Sequence, residues 1–219
     1  MLSLVCFNAC DIATIPAVDP ALAPAFNGQI ETSQEVDMGV SVKWAGYNLG
    51  AQTPAGVGTY VAWNETAEKP SYLRENYAFY KEGAFTLEAG SALTADVVTK
   101  EWGGDWRTPT PAQFKELLDT CSVVRASYNG VNGWVLVSKV KGFEGKSIFF
   151  PAAGYKGGSN LHYFGEQGSY WLNVLVAGKN DFAQNVFFKG NTATVNDGTK
   201  GIGSSVWCGL PVRPVKYRN

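Results

Sequence analysis

Apolar and polar residues alternate in several short stretches of the chain, a period of two that is typical of half-buried β-strands. The first stretch is Val40-Ser-Val-Lys-Trp44. Ordered structure is expected to begin shortly before it, near Val36. Further strand candidates lie between Gly- and Asn-rich turns, at 133–139, 146–150, 169–174, 184–189 and 210–216. The second half of the chain is therefore predicted to consist of short, mostly antiparallel strands.

Two other stretches have helical spacing. Thr110-Pro-Ala-Gln113 has the form of a capping box with proline at the first helical position. Apolar residues then follow on one helical face, at Phe114, Leu117, Leu118 and Cys121. A weaker helical stretch covers about 91–102 and is stopped by Gly103-Gly104. Helices followed by strands predict an α+β domain with segregated elements.

The N-terminal part differs from the rest. Residues 1–10 (MLSLVCFNAC) indicate the end of an export segment, although the usual basic residues do not precede it. Ala9-Cys10 also fits a bacterial lipoprotein with the lipid on the cysteine, and the alternative is a frayed cytosolic terminus with an exposed thiol. Residues 11–35 are Pro- and Ala-rich and indicate a linker that lies on the domain or leads away from a membrane anchor. The folded domain is predicted to span 36–219.

Composition narrows the classes of function. The 219 residues carry a net charge of −1, which disfavours a nucleic-acid binder because such proteins present a basic face. The single histidine, His162, excludes zinc and iron sites built from several histidines. It also confines any Ser-His-Asp or Cys-His mechanism to that one residue. We therefore expect no catalytic residues, no metal and no cofactor.

None of the four cysteines lies in a CxxC pair, which disfavours structural zinc. Cys6 and Cys10 fall in the leader, and Cys121 and Cys208 fall in the domain. A disulfide between the last two stays open beside a second interpretation, two buried thiols, because the sequence does not give their separation.

Four groups of residues recur together in one known family. They are 36–45 (VDMGVSVKWA), 58–66 (GTYVAWNET), 102–110 (WGGDWRTPT), and a last group of 151–154 (PAAG), Tyr170-Trp171 and 211–215 (PVRPV). In this order and spacing the chain resembles the Fibrobacter succinogenes major paralogous domain, found in surface proteins and lipoproteins of gut bacteria. The resemblance covers about residues 36–216. It implies a C-type-lectin-like fold, with two helices packed on short, mostly antiparallel strands, related to formylglycine-generating enzymes.

The chain departs from the family pattern at three places, which are 63–66 (WNET), 170–173 (YWLN) and 204–208 (SSVWC). The second and third of these lie in the last fifty residues. They put large apolar groups at predicted loops or strand ends, and the cluster 160–164 (NLHYF) adds more. Exposed patches of this kind mark binding surfaces, and their composition resembles antibody paratopes. The predicted ligand contacts are His162, Tyr163, Phe164, Leu172, Asn173 and Trp207, although each could instead fill the core. Trp102, Trp106, Arg107 and Arg213 are predicted to be scaffold residues.

The sequence thus predicts an exported ligand-binding or adhesion module, extracellular or displayed on the cell surface. Its C-terminal loops would bind a carbohydrate or a protein on another cell or host surface. Membrane contact would come only through an N-terminal lipid anchor at Cys10. A sharper version, which the resemblance implies, is a variable protein of a diversity-generating retroelement, whose C-terminal surface is diversified.

Two alternatives belong to other classes. A calcium-dependent lectin would need converging oxygen ligands, for which Asn180-Asp181, Asn196-Asp197 and Trp63-Asn64-Glu65 are candidates. An enzyme of the formylglycine-generating type would need a reactive cysteine pair, which the positions of Cys121 and Cys208 do not indicate.

Overall fold

The computed structural model describes residues 21–218 and consists mostly of β-strands. Strands make up 37% of it and helices 10%, in several small antiparallel sheets. The α+β, C-type-lectin-like fold expected from the resemblance is therefore wrong. Two helices do form, but both are short, and the sheets rather than the helices build the architecture.

The helices are α1 Val97–Trp102 and α2 Pro111–Thr120, and a 3₁₀ turn spans Arg74–Asn76. The strands of the first half are β1 Glu35–Val36, β2 Val42–Ala45, β3 Tyr80–Lys81, β4 Ala84–Phe85 and β5 Trp106–Arg107. The central strands are β6 Cys121–Tyr128, β7 Val131–Ser138, β8 Ser147–Pro151, β9 Tyr155–Gly157 and β10 Asn160–His162. The last are β11 Gln167–Leu175, β12 Phe182–Lys189, β13 Thr192–Asn196, β14 Ser204–Ser205 and β15 Val215–Tyr217.

Three sheets and two small hairpins share these strands. The sheet orders are β1-β2-β15-β5, β6-β7-β8 and β11-β12-β13, with β14 paired to β12. The hairpins are β3–β4 and β9–β10. Because β15 lies between β2 and β5, the end of the domain is paired with its beginning. This closure depends on contacts across the whole sequence.

The helix boundaries follow from local capping. Thr110 and Gln113 form the predicted capping box, in which the Gln113 amide donates to Thr110 Oγ1 at 3.2 Å and Gln113 Oε1 accepts from the Thr110 amide at 2.9 Å. The other helix begins later than predicted because Asp96 caps it, accepting from the Val98 amide at 2.9 Å. It ends at Gly103, as predicted.

Aromatic side chains fill the core. One cluster packs Trp44, Phe114, Phe150 and Phe188 between α2 and the sheets. Arg213 is buried against this cluster, 4.3 Å from the Phe150 ring centroid, and donates to Asn48 Oδ1 and to the carbonyl oxygens of Ala45 and Phe149. Burial lowers the pKa of Arg213 to about 10. These contacts agree with the predicted scaffold role of Arg213.

Residues 21–31, within the predicted linker, lie along the β6–β8 sheet. The Ser127 amide donates to the Pro24 carbonyl at 2.9 Å, and the Phe26 amide donates to the Ser127 carbonyl at 3.1 Å. Ile30 is buried among residues of that sheet. The leader 1–10, its Cys6 and Cys10, and residues 11–20 of the linker lie outside the described residues.

Cys121 is the first residue of β6 and a buried free thiol, so a disulfide between Cys121 and Cys208 does not form. Burial raises the pKa of the Cys121 thiol to about 11. Within residues 21–218, no helix has the length and apolar character needed to cross a membrane.

Candidate functional site

A cavity of about 260 Å³ opens over one face of the β11–β13 sheet, and we call it the sheet cavity. Successive side chains of a strand point to opposite faces. Tyr170 and Leu172 of β11 therefore lie on one face, in the core around Phe150. Gln167 and Ser169 lie on the opposite face, on which Trp171 is also buried. The sheet supplies Gln167, Ser169, Asn185, Phe187 and Asn196 to the lining, and the remaining walls are Tyr155, Tyr163, Gly203, Ser204 and Cys208.

The β9–β10 hairpin forms an aromatic wall of the sheet cavity. Its register pairs His162 with Tyr155, and their rings stack with centroids 5.1 Å apart. Tyr163 follows directly, with a left-handed backbone at φ 53°. Gly154 allows this arrangement, because a Cβ atom at that position would lie 2.0 Å from the His162 carbonyl oxygen. The aromatic wall therefore depends on a glycine outside it.

The sheet cavity has an uncharged lining. The described residues around it include no Asp, Glu, Lys, Arg or His side chain. Amide and hydroxyl groups from Gln, Asn and Ser alternate with aromatic faces. This combination of apolar surface and a few placed polar groups is typical of sites for small organic ligands.

Asn185 is the most unusual polar residue of this site. Its side chain is 1% exposed, and its Nδ2 donates to Ser169 Oγ at 3.3 Å. Its Oδ1 has no hydrogen-bond partner among the described residues. Two further buried side-chain oxygens have no hydrogen-bond partner among the described residues, Gln184 Oε1 on β12 and Ser205 Oγ on β14, the strand that pairs with β12. A buried acceptor without a partner lowers the stability of the folded state by about 1–3 kcal/mol.

The predicted contact residues separate into three groups. Tyr163 lines the sheet cavity, Phe164 is 45% exposed beside it, and His162 lies half-buried behind Tyr155. Leu172 and Trp207 are 0% and 4% exposed and belong to the core, so the structure does not bring them to the surface. Asn173 lines a different cavity, next to α1.

The sequence analysis missed Ser169, Asn185, Phe187 and Asn196. A signal was present in the predicted strand 184–189, where Asn185 and Phe187 alternate with the core residues Val186 and Phe188. Alternation predicts two faces, but it does not reveal that a distant hairpin covers the polar one.

Residues considered for calcium are engaged in local structure. Asn64 Oδ1 accepts from the backbone amides of Thr94 and Ala95, both at 2.8 Å. Asp197 Oδ1 accepts from the Thr199 amide at 2.8 Å, and hydrogen bonds from Thr199 lower the pKa of Asp197. Across residues 21–218, no three His, Cys, Asp or Glu side chains are grouped to hold a metal ion.

The chain matches no family model, no curated protein and no solved structure. The resemblance to the Fibrobacter succinogenes major paralogous domain therefore stays a prediction from the motifs.

Proposed function

We propose that this protein is a ligand-binding module that holds one neutral sugar residue of a glycan in the sheet cavity, without catalysing a reaction on it. The observation that supports this most directly is Asn185 Oδ1, a buried acceptor without a partner in an uncharged, aromatic-walled cavity. The wider role, adhesion by an exported or surface-displayed protein, is part of the same proposal.

The polarity of the lining favours a hydroxyl-rich ligand. A sugar ring offers hydroxyl donors around its edge and an apolar face of C–H groups. Asn185 Oδ1 would accept from one hydroxyl, and the side-chain amides of Gln167 and Asn196, which also line the cavity, would contact others. The aromatic walls would pack against the apolar face of the ring.

The size of the cavity favours one ring rather than a whole ligand. Its volume of about 260 Å³ is below the range of roughly 300–1,000 Å³ that encloses drug-sized molecules. The rest of a glycan would lie outside, next to Leu161 and Phe164, which are 43% and 45% exposed. We therefore expect weak binding by single sugars and tighter binding by oligosaccharides.

A glycan array with the full chain tests the proposal, run in parallel with a screen of protein ligands. Retained glycans are then titrated by calorimetry with Tyr163→Ala, Asn185→Leu and the control Val124→Ala, which truncates a side chain 39% exposed on β6, outside this cavity. The first two should weaken binding about tenfold or more, as expected for a lost hydrogen bond or ring contact, and the control should not.

Two outcomes would contradict the proposal. One is a ligand set of proteins alone. The other is retained glycan affinity in both cavity variants, which would place the binding surface elsewhere. Repeating the titration with EDTA separates the calcium alternative, because binding through the uncharged cavity should not change.

A further inference from the structure

We propose that a second cavity, built around α1 and β5, binds a small oxyanion such as a carboxylate or sulfate group. This α1 cavity has a volume of about 520 Å³ and shares no lining residue with the sheet cavity. Its walls include Thr99 and Lys100 of α1, Arg107 of β5 and Asn173 of β11. The inference does not depend on the proposed sugar site.

Arg107 presents a fixed and partly unused guanidinium group. Its Nη1 donates to the carbonyl oxygens of Gly104 at 2.8 Å and Trp106 at 2.7 Å, which holds the planar group in place. Its Nε and Nη2 donate to none of the described residues, and no carboxylate among residues 21–218 forms an ion pair with it. A guanidinium edge of this kind matches two oxygens of a carboxylate or sulfate group.

Further donors surround the same space. Lys100 Nζ donates to the carbonyl oxygen of Thr66 at 3.1 Å and lies 3.8 Å from the carboxylate of Glu101, which is 52% exposed and therefore screened by water. The side-chain amide of Asn173 and the hydroxyl of Tyr217 have no hydrogen-bond partner among the described residues. Each can donate to a bound anion.

The carboxylate in the lining of the α1 cavity is already engaged. Asp96 is the one carboxylate among its described lining residues. Its Oδ1 accepts from the Val98 amide at 2.9 Å and the Thr108 hydroxyl at 2.7 Å, and its Oδ2 accepts from the Thr108 amide at 2.8 Å. The α1 cavity therefore presents two cationic side chains, Lys100 and Arg107, against this one carboxylate, whereas the described lining of the sheet cavity carries no charged side chain. This difference is the reason why we assign an anion here and a neutral ligand there.

The test is a ¹H–¹⁵N NMR titration of the full chain with sodium sulfate and with sodium glucuronate, against sodium chloride at equal ionic strength. Sulfate reports a free inorganic oxyanion, and glucuronate reports a carboxylate carried by a sugar. Saturable shifts are expected at the Arg107 Nε–H and Asn173 side-chain signals with at least one of the two anions, and not with chloride.

Variants link the shifts to the cavity. Arg107→Gln should weaken anion binding about tenfold or more, because a charge-assisted hydrogen bond is lost. The matched control Arg74→Gln, which changes an exposed arginine paired with Glu75, should leave binding unchanged. Arg107 also donates to two backbone carbonyl groups, so its replacement could disturb the local structure. Asn173→Ala is therefore a second variant, because it removes no described side-chain hydrogen bond. It should weaken anion binding several-fold. Non-saturable shifts, shifts equal to those in chloride, or full affinity in both cavity variants would overturn the assignment.

Discussion

Asn185 links stability to function at the scale of a single residue. Its unsatisfied Oδ1 lowers the stability of the folded protein, so a side chain without polar atoms should raise it. Leucine has the same branching, and the adjoining cavity offers room for its larger volume. We expect Asn185→Leu to raise the free energy of unfolding by about 1 kcal/mol, measured by urea denaturation, while it weakens glycan binding about tenfold or more. A fall in stability would indicate that Asn185 is a structural residue.

Trp207 and Tyr163 should respond differently to truncation, although the sequence predicts both as ligand contacts. Trp207 is buried and stacks on Phe85 with ring centroids 5.6 Å apart, whereas Tyr163 is 37% exposed. Trp207→Ala should lower the free energy of unfolding by about 3–5 kcal/mol because it leaves a core cavity. Tyr163→Ala should lower the free energy of unfolding by less than about 1 kcal/mol. Equal losses in thermal denaturation would contradict these placements.

At this scale, sequence reasoning identified the aromatic cluster around His162 and the scaffold role of Arg213. It could not separate Tyr163 from Trp207, because both are aromatic residues near predicted strand ends. What distinguishes them is burial, which depends on packing between residues far apart in the chain. For the same reason Arg107 could not be distinguished from Arg213 by its residue type.

At the scale of elements, the β9–β10 hairpin should be sensitive to Gly154. Its φ of 61° and the 2.0 Å approach of the His162 carbonyl leave no space for a Cβ atom. Gly154→Ala should therefore displace Tyr163 and weaken glycan binding, besides lowering the melting temperature. Gly178→Ala is a matched control, because Gly178 has a similar φ of 71° but nothing within 4 Å of its added Cβ. Equal effects on binding from both variants would contradict the positioning role.

Elements with local signals were predicted well, and those that depend on pairing were not. The capping box of α2 is encoded within four residues and was predicted correctly. The strand β6 was missed because the helical spacing of α2 reaches Cys121, which the structure places at the start of that strand. The strand β13 was missed although Ala193 and Val195 alternate with polar residues and pack on the core. The segment is only five residues long and forms its ladder with β12 alone.

For the whole molecule, buried tyrosines should set the alkaline limit of stability. Tyr60, Tyr77 and Tyr170 donate to the carbonyl oxygens of Ala153, Trp63 and Pro151, and Tyr72 donates to that of Tyr60. Burial raises the pKa of all four, that of Tyr72 to about 12. In the unfolded chain, tyrosine side chains ionise near pH 10.

Because the folded pKa values lie above the unfolded one, their contribution is complete below pH 10 and is lost as the pH rises. Each tyrosine should lower the free energy of unfolding by about 1.4 kcal/mol for each pH unit above pH 10. Urea midpoints measured from pH 8 to 11 should fall steeply after pH 10, and Tyr72→Phe should reduce the slope. A midpoint that is unchanged at pH 11 would contradict this account.

The central claim is that the sheet cavity binds a neutral sugar through Asn185. The most direct measurement is an NMR titration of the full chain with a panel of neutral methyl glycosides, following the side-chain amide signals of Asn185, Gln167 and Asn196. The account predicts saturable shifts at these signals with at least one glycoside, and none at the exposed Asn160. Shifts confined to residues outside the cavity, or none with any member of the panel, would contradict it.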